Sequence, residues 1–266
     1  MCLYRFEMTS AADRPTRPST MSCVFFDGGV QRTISEADIV RYLIDASLIK
    51  RDETLEQLRI QISSGSHSFV NPVSVFCGIA AALTDEAWVT RYQCVKLVHE
   101  LIPLLGPINV DRCVQIALRP LVRCLGDPKM TVGTAAAEAL DVYSDHTGDF
   151  RRLLESVSHF VVLSASPSTK KTTLKNVSFL LDVKNKNGDF QTLVTALIKL
   201  LSNESCFDFH PAIVDSLDKI SRLVGDDRFQ SYLDITLPHH RQRYCKLAMK
   251  NNTESTVNLH VSCTIF

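Results

Sequence analysis

The side chains best equipped for chemistry in this sequence are eight histidines and nine cysteines. Metal ligation by either needs three or four donors at short, fixed spacings. The nearest approaches are Cys206-x-x-x-His210 and the adjacent His239-His240, and neither reaches four ligands. Cys2, Cys23, Cys77, Cys94, Cys113, Cys124, Cys206, Cys245 and Cys263 form no CxxC pair, and their number is odd. Most fall on the apolar side of an expected helix, which fits small buried thiols of a reducing compartment better than a disulfide framework. HExxH and GxSxG are absent, and the ten glycines punctuate helical segments instead of forming a phosphate-cradling loop. The expectation is a protein that is not an enzyme and that uses no metal or cofactor.

The remaining chemistry is recognition by charge. Lys plus Arg and Asp plus Glu both total 29, so no overall excess points to nucleic acid or an anionic membrane. Any electrostatic recognition must come from a local patch. Lys50 and Arg51, Lys129, and Lys170 with Lys171 all fall in or beside turns within successive helix pairs. Stacked pairs would place those turns along one edge, giving a discontinuous basic line suited to an acidic partner surface. Trp88, the only tryptophan, begins the second helix of a pair beside such a turn. It either closes the turn as a core residue or offers a large contact side chain.

The elements that would position these residues are helices. From Asn71 to Gly106 the sequence reads as a complete helix-turn-helix unit. Asn71-Pro72 opens the first helix, whose apolar stripe is Val75, Phe76, Ile79, Ala82 and Leu83. It stops at Thr84-Asp85-Glu86, where Thr84 or Asp85 can cap the next helix and Glu86 favours its first turn. That helix carries Trp88, Tyr92, Val95, Val98, Ile102 and Leu105 on its apolar side, with Arg91, Lys96 and Glu100 left for water. Gly106-Pro107 ends it. Two short amphipathic helices cannot bury their stripes alone, so the unit implies stacked neighbours.

Such neighbours are legible on both sides. Ser35-Glu36-Ala37-Asp38 resembles a capping box ahead of Ile39, Tyr42 and Leu43, and a turn at Leu48 to Arg51 leads to Leu55, Leu58, Ile60 and Ile62. A third pair runs from Val110 to Leu125, breaks at Gly126-Asp127-Pro128, and resumes at Met130 with the small residues Ala135, Ala136, Ala137 and Ala139. Asp127 would cap that helix, with Pro128 in its first turn. The fourth pair spans Asp149 to Leu181, with Phe160, Leu174, Val177, Phe179 and Leu180 among its apolar residues; Lys184 to Gly188 reads as an exposed connector. Phe190 to Leu201 and Pro211 to Val224 make the fifth pair. From Asp85 to Asp127 is a step of 42 residues, within the roughly 40–47 of HEAT and armadillo repeats. The expected fold is an all-α, HEAT/armadillo-like helical-repeat solenoid of five helix pairs plus C-terminal helices. Residues 1–34, with Arg14-Pro15-Thr16-Arg17-Pro18, read as a disordered leader, 35–248 as the repeat domain and 249–266 as a flexible tail. Neither a signal-type apolar stretch nor a membrane-spanning one is evident, so the cytoplasm is expected.

One stretch carries a more specific signal. His210-Pro-Ala-Ile-Val-Asp-Ser-Leu-Asp-Lys-Ile-Ser-Arg-Leu-Val-Gly225 is followed by Asp227-Arg228-Phe229-Gln230-Ser231-Tyr232 and Leu237-Pro238. It closely resembles the end of the first TOG domain of the crescerin family, the TOG array regulators of axonemal microtubules. The resemblance extends more loosely over about residues 71–248, through Thr84-Asp85-Glu86 and Leu118-Arg119-Pro120-Leu121-Val122. It implies a HEAT-repeat domain that binds tubulin or microtubules, with other ciliary proteins as further partners, in the cytoskeleton of the cilium. In that family the turns within repeats form the edge presented to the acidic surface of tubulin. Lys50, Arg51, Lys129, Lys170 and Lys171 match those locations, and Trp88 is similar to a turn tryptophan of many TOG domains. The usual tryptophan belongs to the first repeat, whereas Trp88 falls in the second, and Ser202-Asn203-Glu204-Ser205 offers an acid where the family tends to place a base. Several TOG domains in a row are usual for the family, so this chain reads as a fragment or short form. The alternative function is a HEAT scaffold that holds another protein without touching tubulin.

Overall fold

A computed structural model of the chain describes residues 35–247 apart from 46, 65–70, 148–149, 164–165, 182–187 and 202–207. The chain divides into two units, Met1–Thr33 and Ile34–Phe266, and all described residues belong to the second. The expected leader 1–34, the tail 249–266, Lys184 to Asn187 of the connector and the acidic turn 202–205 lie outside the described residues.

The helices run in pairs: α1 (Glu36–Asp45) with α2 (Leu48–Ser63), α3 (Pro72–Ala82) with α4 (Trp88–Leu101), α5 (Pro107–Cys124) with α6 (Met130–His146). Then come α7 (Phe150–Leu163) with α8 (Pro167–Leu181) and α9 (Gln191–Leu201) with α10 (His210–Val224). A short α11 (Asp226–Asp234) and a last helical stretch α12 (238–247) follow. A 3-10 turn, Ile102–Leu104, prolongs α4, because Pro103 cannot donate to the α-helical ladder.

Each odd helix packs on the odd helices before and after it, from α1 through α11, and each even helix does the same from α2 to α10. The result is two helical layers with one core between them. It is the all-α repeat solenoid that the spacing predicts, and among the described residues no strand forms. The core is aliphatic and continuous, from Ile39 and Leu55 through Phe76, Leu97, Leu121 and Leu140 to Leu197 and Leu217. Ala135, Ala136, Ala137 and Ala139 are all buried where α6 sits among α4, α5 and α8. Their small side chains let those helices approach. Gly225 ends α10 with φ +84, a left-handed backbone that L-residues adopt only with strain, and it lets α11 leave in a new direction.

The cap chemistry refines several sequence expectations. Asn71 accepts the Ser74 amide, and the Ser35 hydroxyl accepts the Asp38 amide at 3.2 Å while donating to the Asp38 carboxylate at 2.7 Å. The turn expected at Leu48 to Arg51 is already helix, since Leu48 begins α2, so Lys50 and Arg51 sit in its first turn. Glu86 and Pro128 lie outside the helices they were expected to start, and Thr84 donates to the Ala81 carbonyl instead of capping α4. Asp85 and Asp127 serve both starts from two residues upstream, accepting the Ala87 and Lys129 amides at 2.7 and 2.8 Å. Phe179 and Ile60, placed on apolar sides by periodicity, are 44% and 42% exposed because they lie on the outer faces of α8 and α2. Gly188, expected in the exposed connector, is buried against the rings of Phe150 and Phe190.

Candidate functional site

The turns within the pairs join the C-terminal ends of the odd helices to the N-terminal ends of the even ones, so the first turns of α2, α4, α6 and α8 share one edge of the solenoid. The candidate recognition residues lie there. Lys50 is exposed near the start of α2, its ammonium 5.8 Å from the ring centroid of Tyr42 on α1. Trp88 is the first residue of α4 and 40% exposed. Lys129 immediately precedes α6 and is exposed, with its ammonium 5.7 Å from the centroid of the Trp88 ring. That distance is within the range of a cation–π contact. Lys170, half-buried, and Lys171, exposed, are the fourth and fifth residues of α8.

The structure thus brings Trp88 and Lys129 together from consecutive repeats, while the α2 and α8 lysines stand apart as separate positive points. Arg51 is different. Its guanidinium is 2.7 Å from the Asp85 carboxylate, and that pair is 20% and 10% exposed. One repeat further on, Arg91 of α4 meets Asp127 at 2.7 Å, with 16% and 5% exposure. Arg91 also donates to the Asp85 and Glu86 carbonyls, satisfying the end of the preceding turn. The hydrogen bond it donates to Asp127 holds the Arg91 guanidinium above its ordinary pKa, against the opposing effect of burial.

These pairs form rungs behind the edge. Each acid sits in a turn, caps the following helix with one oxygen and binds an arginine of the preceding even helix with the other. Two more ion pairs stitch the same helices further along: Arg59 to Glu100 at 3.1 Å between α2 and α4, and Lys96 to Glu138 at 3.5 Å between α4 and α6. Arg91, Lys96 and Glu100 were expected to face water. All three instead face a flanking helix, because α4 lies between α2 and α6 within its layer. A usable signal existed in the spacing D-x5-R, present at Asp45/Arg51 and Asp85/Arg91 and replaced by Asp127/Gly133 in the third pair. Gly133 has its own reason: a Cβ there would stand 2.7 Å from the Asn176 amide nitrogen, which donates to the Leu125 carbonyl at 2.7 Å.

The edge is apolar as well as basic, which the sequence reading missed. Ile49, Val89 and Met130 are exposed by 70%, 37% and 65% at the starts of α2, α4 and α6. Ile49 and Val89 lie forty residues apart, like Arg51 and Arg91. Large apolar residues beside helix starts, repeated at that step, were the available sign. Together with Trp88 they make an amphipathic strip across the first three pairs. In the fourth pair Pro167, Ser168 and Thr169 take those positions.

Among the described residues no three His, Cys, Asp or Glu side chains gather as a metal site. Cys206 lies outside the described residues, His210 is buried, and the His239 and His240 rings are 3.9 Å apart. No described helix is long and apolar enough to cross a membrane. Cys94 and Cys124 are buried beneath the rungs; burial pushes the Cys94 thiol well up and the Cys124 thiol to about 12, so neither offers a thiolate near neutral pH.

No protein-family model matches the chain, and no curated protein matches it. Solved structures do. The MAST/Orbit N-terminal domain superposes with a TM-score of 0.62 at 19% identity, over 83% of this chain and 96% of that one. A structure from work on microtubule plus end tracking by XMAP215, CLIP-170 and EB1 superposes with a TM-score of 0.57 at 21% identity, over 80% of this chain and 89% of that one. What this chain shares with both is the fold, a two-layered helical-repeat solenoid.

Proposed function

We propose that this chain is a TOG-type domain that binds tubulin or microtubule ends through its turn edge, without catalysis. The observation that carries the reading is the composition of that edge: Lys50, Lys129, Lys170 and Lys171 alternate with Trp88, Ile49, Val89 and Met130 at the starts of neighbouring even helices. Such a strip suits a partner whose surface is acidic and offers apolar footholds. Two supports stand beside it. The fold is shared with a structure solved in the context of microtubule plus end tracking, and the His210 to Tyr232 stretch resembles the crescerin family. That resemblance supports a role in ciliary (axonemal) microtubule assembly and length.

In this mechanism the lysines steer the encounter and Trp88, held by Lys129, supplies the apolar anchor. Arg51 contributes from behind, by fixing Asp85 and so the start of α4. The test is co-migration with unpolymerised tubulin on size exclusion at low and moderate salt. A salt-sensitive complex is expected, and Lys129→Glu with Lys170→Glu should weaken it about tenfold or more. Binding that ignores both substitutions would remove the edge from the mechanism and leave a HEAT scaffold for another protein.

A further inference from the structure

The outer face of the odd layer carries a second feature, away from the strip of α2, α4 and α6. Two cavities, of about 420 and 550 Å³, lie on either side of α7 and share Glu155, His159 and Leu163. The first is walled by Arg119 and Arg123 of α5, and the second by Lys199 of α9 and by Ile235 just after α11. They form one groove crossing α7.

Its charge is lopsided. Arg119, Arg123 and Lys199 are exposed, and none has an ion-pair partner among the described residues. The one carboxylate in the groove, Glu155, is already bound by Arg151 at 2.8 Å. His159 adds an exposed imidazole at the centre. The apolar content is equally placed, since Leu163 and Ile235 are 63% and 62% exposed along it and Val122 is buried at its base. Exposed aliphatic side chains between uncompensated cations define what fits: carboxylates spaced around aliphatic side chains, in an extended or helical segment.

We propose that this groove docks an acidic segment of a partner protein, with carboxylates meeting Arg119, Arg123 and Lys199 and aliphatic side chains resting on Leu163 and Ile235. Nucleic acid fits less well, because its phosphates would leave those two side chains uncovered and the cations do not form a continuous track. The inference stands independently of tubulin binding by the turn edge.

The experiment is fluorescence anisotropy of the full chain with three labelled probes: a peptide of glutamate and leucine, a glutamate-only peptide, and oligothymidylate. The glutamate–leucine peptide should bind tightest. Arg119→Glu with Arg123→Glu should weaken it about tenfold, and Leu163→Ser by a smaller factor. Lys199→Glu gives an independent reading from another helix, and circular dichroism confirms that each variant is folded. Equal binding of the glutamate-only peptide or of oligothymidylate, or indifference to the charge reversals, would overturn the proposal. Tubulin co-migration retained by the Arg119/Arg123 variant shows that the two surfaces fail or succeed separately.

Discussion

The first three helix pairs and the last two share one architecture but are joined by different chemistry. Four ion pairs tie α2, α4 and α6 together: two run from helix to helix, and two, nearest the turn edge and nearly buried, run from an even helix to the acid of the next turn. Among the described residues no ion pair joins α6 to α8. Asn176 of α8 instead reaches the Leu125 carbonyl at the end of α5, and between α8 and α10 the Ser178 hydroxyl donates to Asp215 while Lys219 donates to the Ser178 carbonyl. The aliphatic core is common to both regions and supplies the driving force for stacking. The charged rungs add register, because an arginine held between a capping carboxylate and two carbonyls fixes how one repeat is set against the next. Their extent matches that of the amphipathic strip of Trp88, Ile49, Val89 and Met130.

The strongest way to break this contrast is Asp127→Ala, which leaves Arg91 nearly buried without its carboxylate and the Lys129 amide without its cap. Unfolding in urea should show a loss of about 3 kcal/mol. Labelling of Cys124, slow in the native chain because it is buried with its thiol pushed to about 12, should accelerate in the same variant. Replacing both partners, Arg91→Met with Asp127→Asn, should recover most of the loss, since the cap acceptor remains and no unpaired charge is buried. A loss equal to that of Asp127→Ala would mean that the ion pair itself, and neither the cap nor an unpaired buried charge, dominates.

Asn176→Ala tests the other region. It removes a neutral hydrogen bond to Leu125 and opens space beside Gly133, so about 1 kcal/mol is expected in the same denaturation. If it costs as much as Asp127→Ala, the two regions are not held differently in any useful sense.

The smallest effect concerns Asp52, which accepts from Thr90 at 3.1 Å. Burial raises its carboxyl above the ordinary value of 3.8, opposed by the Thr90 hydroxyl and by Arg51. The folded chain therefore holds this proton more tightly than the unfolded one, and its contribution to stability declines as pH rises through the window just above 3.8. Asp52→Asn should flatten that decline and raise stability at neutral pH only slightly, since solvent screens this half-exposed carboxylate. An unchanged pH profile would show that Thr90 and Arg51 already offset the burial.

Much of the fold was legible because hydrophobic periodicity reports which side of a helix meets the core. The stripes of Val75, Phe76 and Ile79 and of Leu193, Leu197 and Leu201 are buried as their spacing requires. The same signal misplaced Arg91, Lys96 and Glu100, since it divides a helix into a wet and a dry side. In a stacked layer each helix also has two flanks, and long charged side chains satisfy one another there. Helix starts were read one turn off at Lys50 and Arg51 because α2 begins at Leu48, so soon after α1 ends at Asp45 that the sequence holds no run of turn-forming residues to mark the boundary. The edge itself was located through its lysines. Its apolar half was not, because exposed Ile49 and Met130 look in sequence like ordinary members of a buried stripe.

The contact between Trp88 and Lys129 has an optical consequence. The chain contains one tryptophan, so emission excited at the red edge, where tyrosine does not absorb, arises at a single place, where one repeat meets the next on the exposed edge. Wavelength and lifetime of that emission gauge the spacing of α4 and α6, and a partner covering the ring would shift it to the blue. The protein carries a native reporter at the junction that its proposed partner would have to cover.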